Sequence, residues 1–116
     1  MSGEIYDAGT LIAAAHKQGI NLFTEDAVLL LTYMGVDDRH LMVDHNHNLS
    51  IRDDRRGMNR SELIPTDIHG VLMLAKEINA ALIEYLTGKE DLSKEDKADL
   101  RGHKRDRTRL KGIVLE

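Results

Sequence analysis

His40, Asp44, His45 and His47 fall within eight residues, with Asp37 and Asp38 just ahead of them. Imidazole and carboxylate are ligand types for divalent cations, and imidazole moves protons near neutral pH. A polar hairpin or helix end carrying exposed histidines is the plainer reading of the same residues. A second group follows, Arg52, Arg55, Arg56 and Arg60, whose planar guanidinium ions suit phosphate. Asp53, Asp54 and Glu62 lie among them and could instead pair with them on a solvated hairpin. The third group is a basic arm: residues 101–116 carry six Lys/Arg against Asp106 and Glu116, a net +4, while everything before sums to −8. Such asymmetry suggests an appended arm that adds salt-dependent affinity for a polyanion, or else a solvated polar helix face. There is no Gly-rich loop to cradle a phosphate, and no Ser/His/Asp set can be nominated. The expectation is therefore a non-enzymatic protein, with no cofactor and no metal.

The elements that must position these groups can be read from periodicity and punctuation. Ala8 to Gly19 reads as a first helix with Leu11, Ile12 and Ala15 inward and Gly19 as its stop. Thr24 is a candidate cap for a second helix from Ala27 to Met34, broken by Gly35. Asp37 or Asp38 could start a third helix through Leu41 and Met42 to about His47; a strand from His40 to Asp44 competes. Leu49 to Arg52 alternates as a strand, a turn holds Arg55, Arg56, Gly57 and Asn59, and Glu62 to Ile64 returns, with Pro65 ending it. Thr66 then caps the clearest helix, about Asp67 to Thr87, closed by Gly88. Its apolar face spans about 200°, beyond the ~100° stripe that one contact requires. Asn79 sits in mid-stripe, where one polar residue can fix the register of a helix pair. Dimerisation through Leu74, Ile78, Asn79, Leu82 and Tyr85 is the expectation. Ser93 and Asp96 resemble a capping box opening a last helix to about Leu110, peripheral or partner-dependent because its apolar face is thin.

Composition bounds the class. With one Phe, three Tyr and no Trp, the core must be Leu, Ile, Val, Ala and Met, which favours helix packing. Cysteine is absent, which excludes disulfides and thiolate zinc sites and fits a cytoplasmic protein. No basic n-region precedes an apolar run, so no signal peptide is expected, and no run is long enough for a membrane span. The expected fold is α+β and mainly α: a winged helix-turn-helix-like domain over 1–88 with one β-hairpin and a long amphipathic helix, then a charged helix or arm over 89–116.

Asp54-Arg55-Arg56 resembles the wing of MarR-type transcription regulators, and Ile64-Pro65-Thr66-Asp67-Ile68-His69-Gly70 resembles their step into a long dimerisation helix. The region from Leu11 to about Glu84 looks like the winged-helix core of that family. The resemblance implies a dimeric, DNA-binding transcriptional regulator. Its recognition helix would offer Arg39, His40 and Asn46 to base edges in the major groove of double-stranded DNA. Arg52, Arg55, Arg56 and Arg60 would contact phosphate or the minor groove, and Arg105 and Arg107 in the basic arm would add affinity. The chain departs from the pattern at Pro65, in a longer wing turn, and in Asp37, Asp38 and Asp44 on the supposed reading helix.

Two further readings compete. A small, acidic, cysteine-free helical domain with an over-wide apolar helix also suits a protein-binding inhibitor or adaptor that never touches DNA. Val43-Asp44-His45-Asn46-His47, with Arg56-Gly57, resembles the metal-binding turn of recombination endonuclease VII and other HNH nucleases. There an Asp and a His hold the cation and another His activates water; those enzymes brace the turn with four cysteines, which this chain lacks. Asp67-Ile68-His69-Gly70 copies the first metal motif of calcineurin-like phosphatases without its preceding strand, and helix capping explains it better.

Overall fold

Each helix of the computed structural model, which describes residues 3–5, 7–36, 39–53 and 63–115, begins or ends on a local device. In α1 (Ala8–Lys17) the Asp7 carboxylate accepts from the Thr10 amide at 2.8 Å, and that bond holds the Asp7 carboxyl below its usual range. The helix ends on Gly19 at φ 77°, with Gly19 N donating to His16 O and Ile20 N donating to Ala15 O. That pair of bonds is a Schellman motif, and it needs the left-handed backbone that glycine supplies without strain. α2 (Thr24–Met34) starts one residue earlier than Thr24 capping would require: Phe23 takes the cap position with no side-chain bond. Glu25 and Asp26 in the first turn compensate by facing the positive end of the helix dipole.

The expected third helix is a strand. β2 (Arg39–Val43) pairs antiparallel with β3 (Leu49–Asp53), setting Leu41 opposite Ile51 and Val43 opposite Leu49. Leu41 and Leu49 enter the core, with Val43 and Ile51 packed at its margin, so one sheet face carries the apolar set at a period of two. Between the strands Asp44 accepts from the amides of Asn46 (2.8 Å) and Asn48 (2.9 Å), and Asp44 N donates to Asn48 O at 3.1 Å. His47 takes φ 62° to close the turn. An Asp that folds back on its own amides stabilises a turn and competes with helix, which decides this segment against the helical alternative.

A single hairpin was expected; among the described residues the sheet has four antiparallel strands in the order β1-β2-β3-β4. β1 (Gly3–Glu4) pairs with β2, and β4 (Ile64–Thr66) pairs with β3. Pro65 lies inside β4, opposite Ser50, rather than ending it. β4 is an edge strand, where a residue without an N–H is tolerated and blunts pairing with another chain. The expected turn at Arg55, Arg56, Gly57 and Asn59 lies outside the described residues, as does Glu62.

α3 (Ile68–Thr87) is capped by Asp67, not Thr66: the Asp67 carboxylate accepts from Gly70 N at 2.7 Å. The Gln18 side chain reaches across from the end of α1 and accepts from Ile68 N at 3.0 Å, joining the two helices. A Cβ on Gly70 would collide with the Thr66 hydroxyl, so a side chain here would require Thr66 to shift. α4 (Lys94–Lys111) opens with a full capping box between Ser93 and Asp96. The width of the α3 apolar face has an internal cause, because α2 packs on it and α4 packs along it. Leu110 and Ile113 join the core formed by Leu11, Leu30, Ile68 and Val71, so the C-terminal helix is docked rather than free. The class is α+β and mainly helical. Among the described residues no helix is long and apolar enough to cross a membrane.

Candidate nucleic-acid interface

The inner face of α4 is held by a polar knot. Tyr33, 1 % exposed at the end of α2, donates its hydroxyl proton to Asp106 Oδ2 at 2.8 Å. The Tyr33 hydroxyl oxygen in turn accepts from Asn79 Nδ2 at 2.8 Å and lies 2.9 Å from His103 Nδ1. A phenol has one proton and two lone pairs, so with the proton on Asp106 the His103 nitrogen must be the donor, which assigns its Nδ1–H tautomer. Asn79 also donates to the His103 carbonyl at 2.8 Å, using both amide protons. Burial first, and the bond to Asp106 second, push the Tyr33 phenol up to about 12. Three helices thus meet at one satisfied oxygen. Because a buried polar group without a partner is costly, the knot specifies which side of α4 faces inward.

The outer face is different in kind. Arg101, Lys104, Arg105, Arg107, Arg109 and Lys111 are all exposed along the last three turns. On an ideal helix Arg101, Lys104, Arg105 and Lys111 fall within an arc of about 120° over ~15 Å. Asp106, the one carboxylate in that stretch, is turned towards Tyr33. Its contact with Arg109 at 3.7 Å is half exposed and weak. Arg109 and Lys111 also face the negative end of the helix dipole. What remains is a band of six cations whose one acid in the same turns is aimed at Tyr33, on a chain whose net charge is −4.

The residues expected to read DNA are placed otherwise. His40 Nδ1 lies 2.8 Å from Glu4 Oε1, on the sheet face away from the core. Arg52 stands opposite His40 in the β2–β3 register, half-buried on that same face. Asn46 belongs to the hairpin turn; its carbonyl accepts from Lys17 Nζ, which also reaches Asn48 Oδ1 at 3.0 Å. Arg39 opens β2, but its side chain lies outside the described residues, as do Arg55, Arg56 and Arg60. Arg105 and Arg107 are on the exposed band. Of the expected dimer residues, Leu74, Ile78 and Asn79 are buried within the chain, Leu82 is half-buried, and Tyr85 is exposed under Lys89, whose ammonium sits 5.2 Å from the ring centre.

The histidine cluster does not converge. The Asp44 carboxylate is spent on Asn46 and Asn48, and those bonds hold it below the usual range; His45 and His47 point to solvent. Among the described residues no three His, Cys, Asp or Glu side chains are placed to hold a metal ion. A cleft of ≈ 460 Å³ lies beside this turn, lined by Gln18, Asp44, Asn48, Ser50, Pro65 and Thr66. Its strongest acceptors are already used, Gln18 on Ile68 and Asp44 on its turn.

Sequence reasoning missed Tyr33, His103 and Asp106. One signal was available: Asp106 is the lone acid among six cations, and Asn79 is the lone amide in an apolar stripe, so each needed an inward partner. No family model, curated protein or solved structure matches the chain.

Proposed function

We propose that the protein is a non-enzymatic DNA-binding protein that holds double-stranded DNA with the outer face of α4 and serves transcriptional control. One observation carries the reading: six exposed cations share the last three turns of α4, while the one carboxylate within those turns is aimed inward at Tyr33. Six cations set against one inward-turned acid keep a net positive field, and a polyanion gains affinity by releasing its condensed counterions to them. In this reading the winged-helix resemblance is reduced to the order helix, helix, strand pair, long helix. The segment that would be the reading helix in that family is β2, and the reading asks nothing of a second copy.

Fluorescence polarisation of a labelled random duplex tests it. Binding at low salt that weakens steeply as salt is raised is the expected result. No binding at low salt would overturn the proposal, and metal-dependent cleavage of the duplex would favour a nuclease in its place.

A further inference from the structure

Resting on that reading, we infer that α4 grips double-stranded DNA through its phosphates alone, reading no base sequence and discriminating against single strands. The chemistry of the band points to this. Single strands are held by stacking their bases on aromatic side chains along a basic track. α4 has no Phe, Tyr or Trp, and its one ring, His103, is packed against Tyr33 with centroids 5.8 Å apart and its Nδ1 engaged. The exposed aromatics among the described residues stand on other elements, Phe23 ahead of α2 and Tyr85 on α3.

The vocabulary for base edges is reduced to its cations, whose donors suit phosphate as well as guanine. Recognition of adenine uses the amides of Asn or Gln, and α4 contains neither. Thr108, the uncharged polar residue in the middle of the cationic arc, donates its hydroxyl to Lys104 O at 3.4 Å. What the face offers is positive charge, as lysine ammonium groups and as arginine forks that match phosphate. Charge density then favours the duplex: ~15 Å of helix lies alongside about nine phosphates of a double strand but only about four of a single strand.

The test uses the full chain and three probes of about 20 nucleotides per strand, matched in salt: random duplexes, AT-rich and GC-rich duplexes, and single strands. The duplexes should bind within about twofold of one another and about tenfold more tightly than single strands. Lys104→Glu with Arg105→Glu should weaken all duplexes equally. Single strands binding as well as duplexes, or one duplex preferred more than about tenfold, would overturn this inference while leaving DNA binding in place. Failure of every probe to bind at low salt would instead overturn the reading beneath it.

Discussion

The β2–β3 hairpin and the C-terminal half of α4 both carry cations, yet the fold treats them in opposite ways. On the hairpin Arg52 is half-buried on the sheet face where His40 meets Glu4, and Lys17 of α1 is spent bracing the turn at Asn46 and Asn48. On α4 the carboxylate is removed to the inside and the cations are left facing water. The same residue types therefore build structure in one place and an electrostatic surface in the other. Counting arginines along the chain does not distinguish the two; the direction in which the nearby acids point does.

The largest effect should come from reversing charge on α4, with a substitution on the hairpin as the control. Arg101→Glu, Lys104→Glu and Arg105→Glu together should lower duplex affinity by more than about a hundredfold at moderate salt, since each lost phosphate contact also becomes a repulsion. Asn46→Ala on the hairpin should change affinity less than about twofold, measured by polarisation under the same conditions. Equal losses from the two regions would erase the distinction.

Next in size is the apolar anchor of α4. Leu110 is 1 % exposed, and Leu110→Ala should destabilise the protein by about 2–4 kcal/mol in urea unfolding, through lost burial and the cavity left behind. Tyr33→Phe should cost about 1–3 kcal/mol, because Asp106, His103 and Asn79 each lose a partner while the ring packing stays. If instead Tyr33→Phe were neutral, the knot would not be what orients α4.

The knot also fixes a dependence on alkali. The Tyr33 phenol is raised from 10.0 to about 12 in the folded protein, so its contribution is complete below pH 10. It is lost as pH rises towards 12, and the alkaline unfolding midpoint should lose that component in Tyr33→Phe. The smallest effect belongs to the hairpin and caps. Asp7, Asp44 and Asp96 have carboxyls lowered below 3.8 by their amide bonds, so their support is present above that pH and fades below it. Asp44→Asn should shift the acid midpoint slightly and leave duplex binding unchanged.

What the chain revealed before its structure was local. Gly19, Gly88 and the Ser93–Asp96 box mark helix ends through bonds spanning a few residues, and the α3 periodicity runs over several turns. Those features were legible. The strand β2 was not, because Leu41, Met42 and Val43 form an apolar run too short to choose between periods; the Asp44 turn and its distant partner Ile51 decide it. The excess width of the α3 face was visible, but its cause was not. The same stripe would suit a second copy or α4 of the same chain, and it is α4 that packs on it: Asn79 donates to the His103 carbonyl, 24 residues away in sequence. Likewise, the cations of α4 could be counted, whereas the inward turn of Asp106 depends on a tyrosine 73 residues away.

The most direct test of the central claim is the salt dependence of duplex binding, measured in parallel for the wild-type chain and the variant carrying Arg101→Glu, Lys104→Glu and Arg105→Glu. If α4 makes about four to six phosphate contacts, the wild-type slope of log affinity against log salt should be about −4 to −5, and the variant's should fall by about three. Wild-type and variant slopes that coincide would contradict the assignment of α4 as the interface.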